Sequence, residues 1–112
     1  KISYKKATTP IQGKKISIIM DTAPCKNIEK LSKNADLLIT ESTWTSELHN
    51  LVEKRKHLTS KLAAELAKKY NVNALILTHF SQRYKEIKHI EKEAQKYFKN
   101  TRAAEDFMEI EI

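Results

Sequence analysis

Short runs of β-branched and aliphatic residues alternate along this chain with stretches in which apolar residues recur at helical spacing. This alternation constrains the fold more than any other feature, because it is typical of strands packed against helices in layers. Strands are predicted at residues 1–8, 14–20, 36–40 and 74–78, and a last, half-exposed strand at residues 108–112. The sequence therefore predicts an α+β protein built of mixed α/β layers.

Amphipathic stretches fill the intervals between the predicted strands. One helix is predicted over residues 60–70, where Thr59 or Ser60 can cap the first turn. Another is predicted over residues 87–98, and a shorter one follows the break at Pro24. The helices supply the apolar faces that a sheet of buried strands needs as partners.

The length of 112 residues and the apolar content of 40% fit one domain or part of one. No repeat or linker interrupts residues 1–112, so we expect no internal boundary. The single cysteine, Cys25, excludes an internal disulfide and favours a reducing compartment such as the cytoplasm. No apolar run approaches the ~18 residues of a membrane span. Because the chain begins on polar residues without an initiator Met, we expect a missing upstream segment.

The balance of charge is basic. Lys and Arg number 21 against 14 Asp and Glu, which gives a formal net charge of +7. Such a balance favours a polyanionic partner, which can be nucleic acid or an acidic membrane surface. A lysine-rich surface that only keeps the protein in solution explains the composition equally well.

Titratable residues follow three of the predicted strands directly. Asp21, Glu41 and His79 each come after a buried apolar run, and His57 stands just before a predicted helix cap. Sites in layered α/β proteins gather at strand ends, since the loops there can vary without disturbing the core. These four residues are therefore the candidates for a functional site.

Five segments around these residues resemble tRNase Z (ribonuclease Z), a family of the metallo-β-lactamase superfamily, over nearly the whole chain. In order they are MDTAPC (20–25), LLITEST (37–43), KHLT (56–59), LTHFSQRY (77–84) and AEDFM (104–108). The order matches the C-terminal half of that family, and LTHFSQRY is its most specific element. The resemblance implies one αβ half of the four-layer αβ/βα metallo-β-lactamase sandwich.

The resemblance also implies roles for the four candidates. Asp21 would bridge two zinc ions, and His79 would be a zinc ligand. Glu41 would orient His57, which would donate a proton to the departing 3′ oxygen. Each residue has a plainer alternative: a turn for Asp21, a buried structural histidine for His79, and an ordinary helix-preceding position for His57.

The loop after His79 is a candidate substrate-binding segment by the same resemblance. It contains Ser81, Arg83, whose planar fork suits phosphate, and Tyr84, which can stack on a base. Packing within the loop is the alternative for Arg83 and Tyr84. Asp106 resembles a late acidic residue of the family that supports the metal site, unless it only begins the last strand.

The implied function is that of a zinc-dependent endoribonuclease, with two zinc ions, that processes the 3′ end of precursor tRNA. No histidine precedes His49, so the remaining ligands would come from an N-terminal half outside this chain. We therefore predict that the 112 residues alone are inactive, and that the complete protein is a homodimer that does not enter membranes. Two alternatives stay open: another hydrolase of the superfamily that acts on a small ester or phosphodiester, and a non-catalytic RNA-binding domain of the same fold.

Overall fold

Four parallel strands form a single sheet in a computed structural model that describes all of residues 1–112. The strands are β1 (Ile16–Ile19), β2 (Leu37–Glu41), β3 (Ala74–Thr78) and β4 (Thr101–Ala103). Their order in the sheet is their order in the chain. Parallel neighbours need a crossover connection, and a helical segment supplies each one here.

Five α-helices and one 3₁₀ helix make up the rest of the regular structure. The α-helices are α1 (Tyr4–Ala7), α2 (Lys26–Ser32), α3 (Val52–Arg55), α4 (Ser60–Lys69) and α5 (Lys88–Gln95), and the 3₁₀ helix spans Ser46–Leu51. Thr59 caps α4 as predicted, because its side-chain oxygen accepts a hydrogen bond from the backbone N–H of Leu62. None of the helices is long and apolar enough to cross a lipid bilayer.

The core lies between one face of the sheet and α2, α4 and α5. Leu38 of β2 is paired in register with Leu75 of β3, and both are fully buried. They pack in one apolar cluster with Ala63 and Ala67 of α4 and Ile90 of α5. Small residues on α4 let that helix approach the sheet closely. The layered α/β class predicted from the sequence is confirmed.

The edge strand β1 shows that the opposite face of the sheet is less well covered. Ser17 and Ile19 are buried toward the helices, whereas the alternate residues Ile16 and Ile18 are 50% and 61% exposed. Parallel sheets ordinarily have both faces covered, because helices lie on each side. An apolar strip thus remains in contact with solvent on this face.

Two of the predicted strands are wrong. Within residues 1–8 the structure has α1 instead, whose first turn is capped by the Ser3 side chain, and no sheet strand pairs with the segment. Residues 108–112 alternate in polarity, yet they also lack a partner strand. The last strand is Thr101–Ala103, which pairs with β3. The strands predicted at 14–20, 36–40 and 74–78 are confirmed.

Candidate metal centre

The carboxyl ends of three neighbouring strands bring the candidate residues together. Asp21 follows β1, Glu41 ends β2 and His79 follows β3. Since the strands are parallel and adjacent, with Glu41 opposite Thr78 in register, these ends meet at one edge of the sheet. His57 joins them from the loop between α3 and α4. Ligand atoms of all four side chains lie within 4.8 Å of one another.

The backbone turns sharply at this edge. Asp21 and His79 both have left-handed backbone conformations, with φ angles of 52° and 56°. Lys56, directly before His57, has a φ angle of 57°. Such conformations cost about 1–2 kcal/mol in a residue other than glycine, although Asp and His tolerate them better than most. Strain of this kind is concentrated at functional sites, where it fixes the direction of a side chain.

Glu41 is the buried centre of the cluster, with no exposed surface. Its Oε1 accepts a hydrogen bond from the backbone N–H of Thr22 at 2.8 Å. Its Oε2 accepts from the Thr43 hydroxyl at 2.7 Å and faces Nδ1 of His57, also at 2.7 Å. An ionised carboxylate only accepts hydrogen bonds, so three converging donors suit it. Both oxygens of Glu41 are therefore engaged within the chain.

His57 is held on two sides. Its Nδ1 donates to Glu41, and its ring stands edge-on to Trp44, with ring centroids 5.4 Å apart at an angle of 88°. Trp44 is itself buried, so it packs within the chain. With Nδ1 engaged, the other ring nitrogen, Nε2, is the atom left to exchange a proton with a substrate. Proximity of Glu41 and His57 is thus observed, while the role of the pair stays a prediction.

Asp21 and His79 face each other across the open side of the cluster. Oδ1 of Asp21 lies 3.9 Å from Nε2 of His79 and 3.7 Å from Nδ1 of His57. Zinc accepts carboxylate oxygen and imidazole nitrogen at about 2.0–2.2 Å, so two ligands of one ion stand at most about 4.4 Å apart. Asp21 and His79 fit that limit and are exposed, unlike Glu41. The donor set fits a metal ion but supplies two free ligands of the usual four.

The remaining candidates lie outside the cluster. Tyr84 uses its hydroxyl to accept a hydrogen bond from the backbone N–H of Thr45 at 2.9 Å, which favours packing over base stacking. Arg83 is exposed, and Ser81 is half-buried in the same loop. Asp106 is exposed after β4 and is not one of the four clustered residues, and its support of the metal site stays a prediction.

Two residues of the site were given no role from the sequence, Thr22 and Thr43. Each lies within a quoted motif, one or two positions after an acidic residue of the cluster. Both donate to Glu41, one from the backbone and one from its hydroxyl. A short hydroxyl residue close to a candidate carboxylate is the signal for the Thr43 contact, whereas any residue other than proline could supply the backbone N–H of Thr22.

The fold and the strand-end cluster define a class of protein. No protein-family model matches the chain. Among solved structures, it is similar to a metallo-β-lactamase fold protein of Bacillus subtilis, YhfI, with 25% identity and a TM-score of 0.66. That match covers 77% of this chain and 35% of the other. The chain therefore has part of the metallo-β-lactamase fold.

Within that class the similarity is to ribonuclease Z. The chain is 44% identical to ribonuclease Z of Protochlamydia amoebophila over 87% of its own length, and 41% identical to that of Archaeoglobus fulgidus over 90%. It is 35% identical to the human short-form tRNase Z structure, with a TM-score of 0.66, over 86% of this chain and 32% of that one. The resemblance predicted from the motifs is confirmed. The chain spans about a third of the curated relatives, 32% and 33% of the two named.

Proposed function

We propose that the complete polypeptide carrying this chain is a zinc-dependent endoribonuclease that processes the 3′ end of precursor tRNA. The observation that carries the proposal is the hydrogen-bonded pair of Glu41 and His57 beside two exposed metal-ligand side chains. Proteins named ribonuclease Z are similar over most of the chain, which supports the substrate class. This segment supplies part of the site, and the rest comes from outside it.

Asp21 and His79 are the residues that would hold zinc, because their carboxylate and imidazole groups are exposed on the open side of the cluster. When bound there, zinc would supply Lewis-acid chemistry, namely polarisation of the phosphodiester and activation of the attacking water. A site of two ions needs more ligands than these two side chains supply. We therefore propose that ligands beyond residues 1–112 complete it, and that the isolated chain binds zinc weakly and is inactive.

His57 is the proposed general acid. Its Nδ1 donates to Glu41, so the ring is held in one orientation and one tautomer. Nε2 is then the atom that delivers a proton to the departing 3′ oxygen. Glu41 acts by accepting the hydrogen bond from Nδ1 and so orienting the ring. A group placed in this way contributes about 10²–10⁴-fold to the rate.

The proposed substrate carries a dense negative charge, and several features of the chain suit it. The exposed Arg83 can make paired hydrogen bonds to a phosphate, in the loop that follows the ligand His79. Between Gln82 and Arg102 there are seven basic and three acidic residues. Precursor tRNA is therefore the proposed partner. A homodimeric assembly and a cytoplasmic location stay predictions.

The test is an assay of turnover and zinc content on variants of the full-length protein. His57→Ala should lower cleavage of precursor tRNA by about 10²–10⁴-fold and leave zinc content intact. Asp21→Ala should lower zinc content and abolish cleavage. His49→Ala is the matched control, since His49 is exposed on the 3₁₀ helix outside the cluster, and it should match the wild type.

The outcomes also separate the other two functions. Wild-type turnover in His57→Ala would refute the general-acid role. Cleavage of a small phosphodiester without cleavage of precursor tRNA would favour another hydrolase of the fold. Binding of precursor tRNA by a wild-type protein that neither holds zinc nor cleaves RNA would favour an RNA-binding domain.

A further inference from the structure

Through one hydroxyl group, Thr43 contacts both Glu41, the partner of His57, and His79, the proposed metal ligand. Its Oγ1 lies 2.7 Å from Oε2 of Glu41 and 3.2 Å from Nδ1 of His79. The residue is buried, with 8% of its surface exposed. Glu41 in turn holds His57. The hydroxyl therefore stands between the proposed metal ligand and the proposed acid pair.

The direction of these hydrogen bonds follows from counting protons. A threonine hydroxyl has one proton to donate, and a carboxylate oxygen can only accept. The 2.7 Å contact with Glu41 is the shorter one and has the charged acceptor, so it holds the hydroxyl proton. The contact with His79 must then run the other way, with Nδ1–H donating to the Thr43 oxygen. In the neutral imidazole, Nε2 of His79 is then the nitrogen without a proton, with its lone pair available.

The free nitrogen is also the one that faces the other proposed ligand. Nε2 of His79 lies 3.9 Å from Oδ1 of Asp21. A neutral imidazole binds metal through its unprotonated nitrogen, and a hydrogen bond at the other nitrogen selects which one that is. The proton position set by Thr43 thus matches the proposed metal position.

The backbone of Thr43 holds the same loops in place independently of its side chain. Its N–H donates to the carbonyl oxygen of Leu58 at 3.1 Å, next to His57. Its carbonyl oxygen accepts from the N–H of Ser81 at 3.0 Å, two residues after His79. A change of side chain at this position therefore leaves the two backbone connections available. The contribution of the hydroxyl can be isolated from that of the loop.

We propose that Thr43 is a positioning residue, whose hydroxyl fixes His79 in the tautomer that binds metal through Nε2 and links that ligand to Glu41. The proposal rests on the metal site of the proposed function. Loss of a partner that orients a metal-binding histidine typically costs 10–100-fold in metal affinity. Thr43→Val removes the hydroxyl and keeps the branched shape, whereas Thr43→Ser keeps the hydroxyl.

Zinc affinity of the full-length protein, measured by competition with a chromophoric chelator, is the first readout. Thr43→Val should bind zinc about 10–100-fold more weakly, and Thr43→Ser should restore nearly the wild-type affinity. Thr40→Val is the matched control: Thr40 is a fully buried threonine on β2, but its hydroxyl has no hydrogen-bond partner. That variant should bind zinc as the wild type does. Equal affinity in Thr43→Val and Thr40→Val would overturn the proposal.

The second readout is the position of the His79 proton in ¹H–¹⁵N spectra of the zinc-loaded, ¹⁵N-histidine-labelled wild type. A proton on Nδ1 supports the proposal, and zinc bound through Nδ1 would overturn it even if Thr43→Val failed to fold. Neither readout depends on RNA cleavage. A protein that binds zinc as expected but cleaves no precursor tRNA would refute the proposed function alone. Normal cleavage with unchanged zinc affinity in Thr43→Val would refute the role of Thr43 alone.

Discussion

Replacement of Glu41 by glutamine keeps the shape of the side chain but exchanges one acceptor oxygen for an N–H donor. Glu41 is fully buried and accepts three hydrogen bonds, one on Oε1 from Thr22 and two on Oε2 from Thr43 and His57. If the glutamine carbonyl takes the Oε2 position, its amide group faces the backbone N–H of Thr22, donor against donor. If the amide is reversed, its NH₂ group faces Nδ1 of His57. The proton of that ring must then be on Nε2 instead of Nδ1.

The first arrangement leaves both the Thr22 N–H and the amide N–H that faces it without a partner, and each such buried group costs about 1–3 kcal/mol. Loss of charge-assisted hydrogen bonds adds to that cost, whereas removal of a buried charge opposes it. We therefore expect Glu41→Gln to lower the free energy of unfolding by about 1–3 kcal/mol. The second arrangement puts His57 in the wrong tautomer, and in serine proteases the equivalent change lowers turnover by about 10⁴-fold.

Both effects can be measured on the full-length protein, by urea unfolding followed by circular dichroism and by cleavage of precursor tRNA. Glu47→Gln is the control, because Glu47 is exposed on the adjoining 3₁₀ helix and accepts one hydrogen bond, from Thr45. Its effect on stability should stay within about 0.5 kcal/mol, as for other surface changes. Glu41→Gln with stability and turnover equal to those of Glu47→Gln would refute the hydrogen-bond argument.

Three further changes test other parts of the structure. Thr40→Val should raise the free energy of unfolding in urea by about 1 kcal/mol, because it removes a buried hydroxyl that has no hydrogen-bond partner. A loss of stability would show that this hydroxyl does form a hydrogen bond. Lys56→Gly should raise the free energy of unfolding by about 0.5–1 kcal/mol, because glycine adopts the left-handed conformation without strain. No gain in stability would mean that Lys56 carries little strain in this conformation. Replacement of three exposed lysines by glutamine should weaken RNA binding and make it less dependent on salt concentration. Unchanged binding across a salt titration would show that these lysines only keep the protein in solution. These lysines are Lys85, Lys88 and Lys92.

The strands that could be predicted from the sequence are those whose buried positions require apolar residues. Strand β2 is buried along almost its whole length, and β3 is buried at its centre, so both begin with an unbroken apolar run. The strand Thr101–Ala103 has only three residues with an exposed arginine in the middle, which leaves no apolar run to detect. Residues 108–112 have the alternation of a strand but no partner, and alternation alone does not supply one.

The candidate site also has one part that the sequence predicts and one part that it does not. Asp21, Glu41 and His79 follow apolar strands, so their convergence follows from parallel neighbours in one sheet. The contact between Thr43 and His79 joins residues 36 positions apart and depends on one hydroxyl direction. Sequence spacing carries no information about such a contact until the register of the strands is known. Asp106 shows the converse, since it matches a motif but is not one of the four clustered residues.

The strand order also has a consequence for how the chain folds during synthesis. Each strand after β1 pairs with the strand made just before it, so β2, β3 and β4 each find a partner already synthesised. The sheet can grow from β1 toward β4, and each new pairing closes only one crossover loop. Asp21 and Glu41 come together first, and His79 arrives only when β3 pairs with β2. A nascent chain that stops before β3 therefore has the two acidic groups of the cluster without the histidine that faces them, and the candidate metal-binding group is completed late.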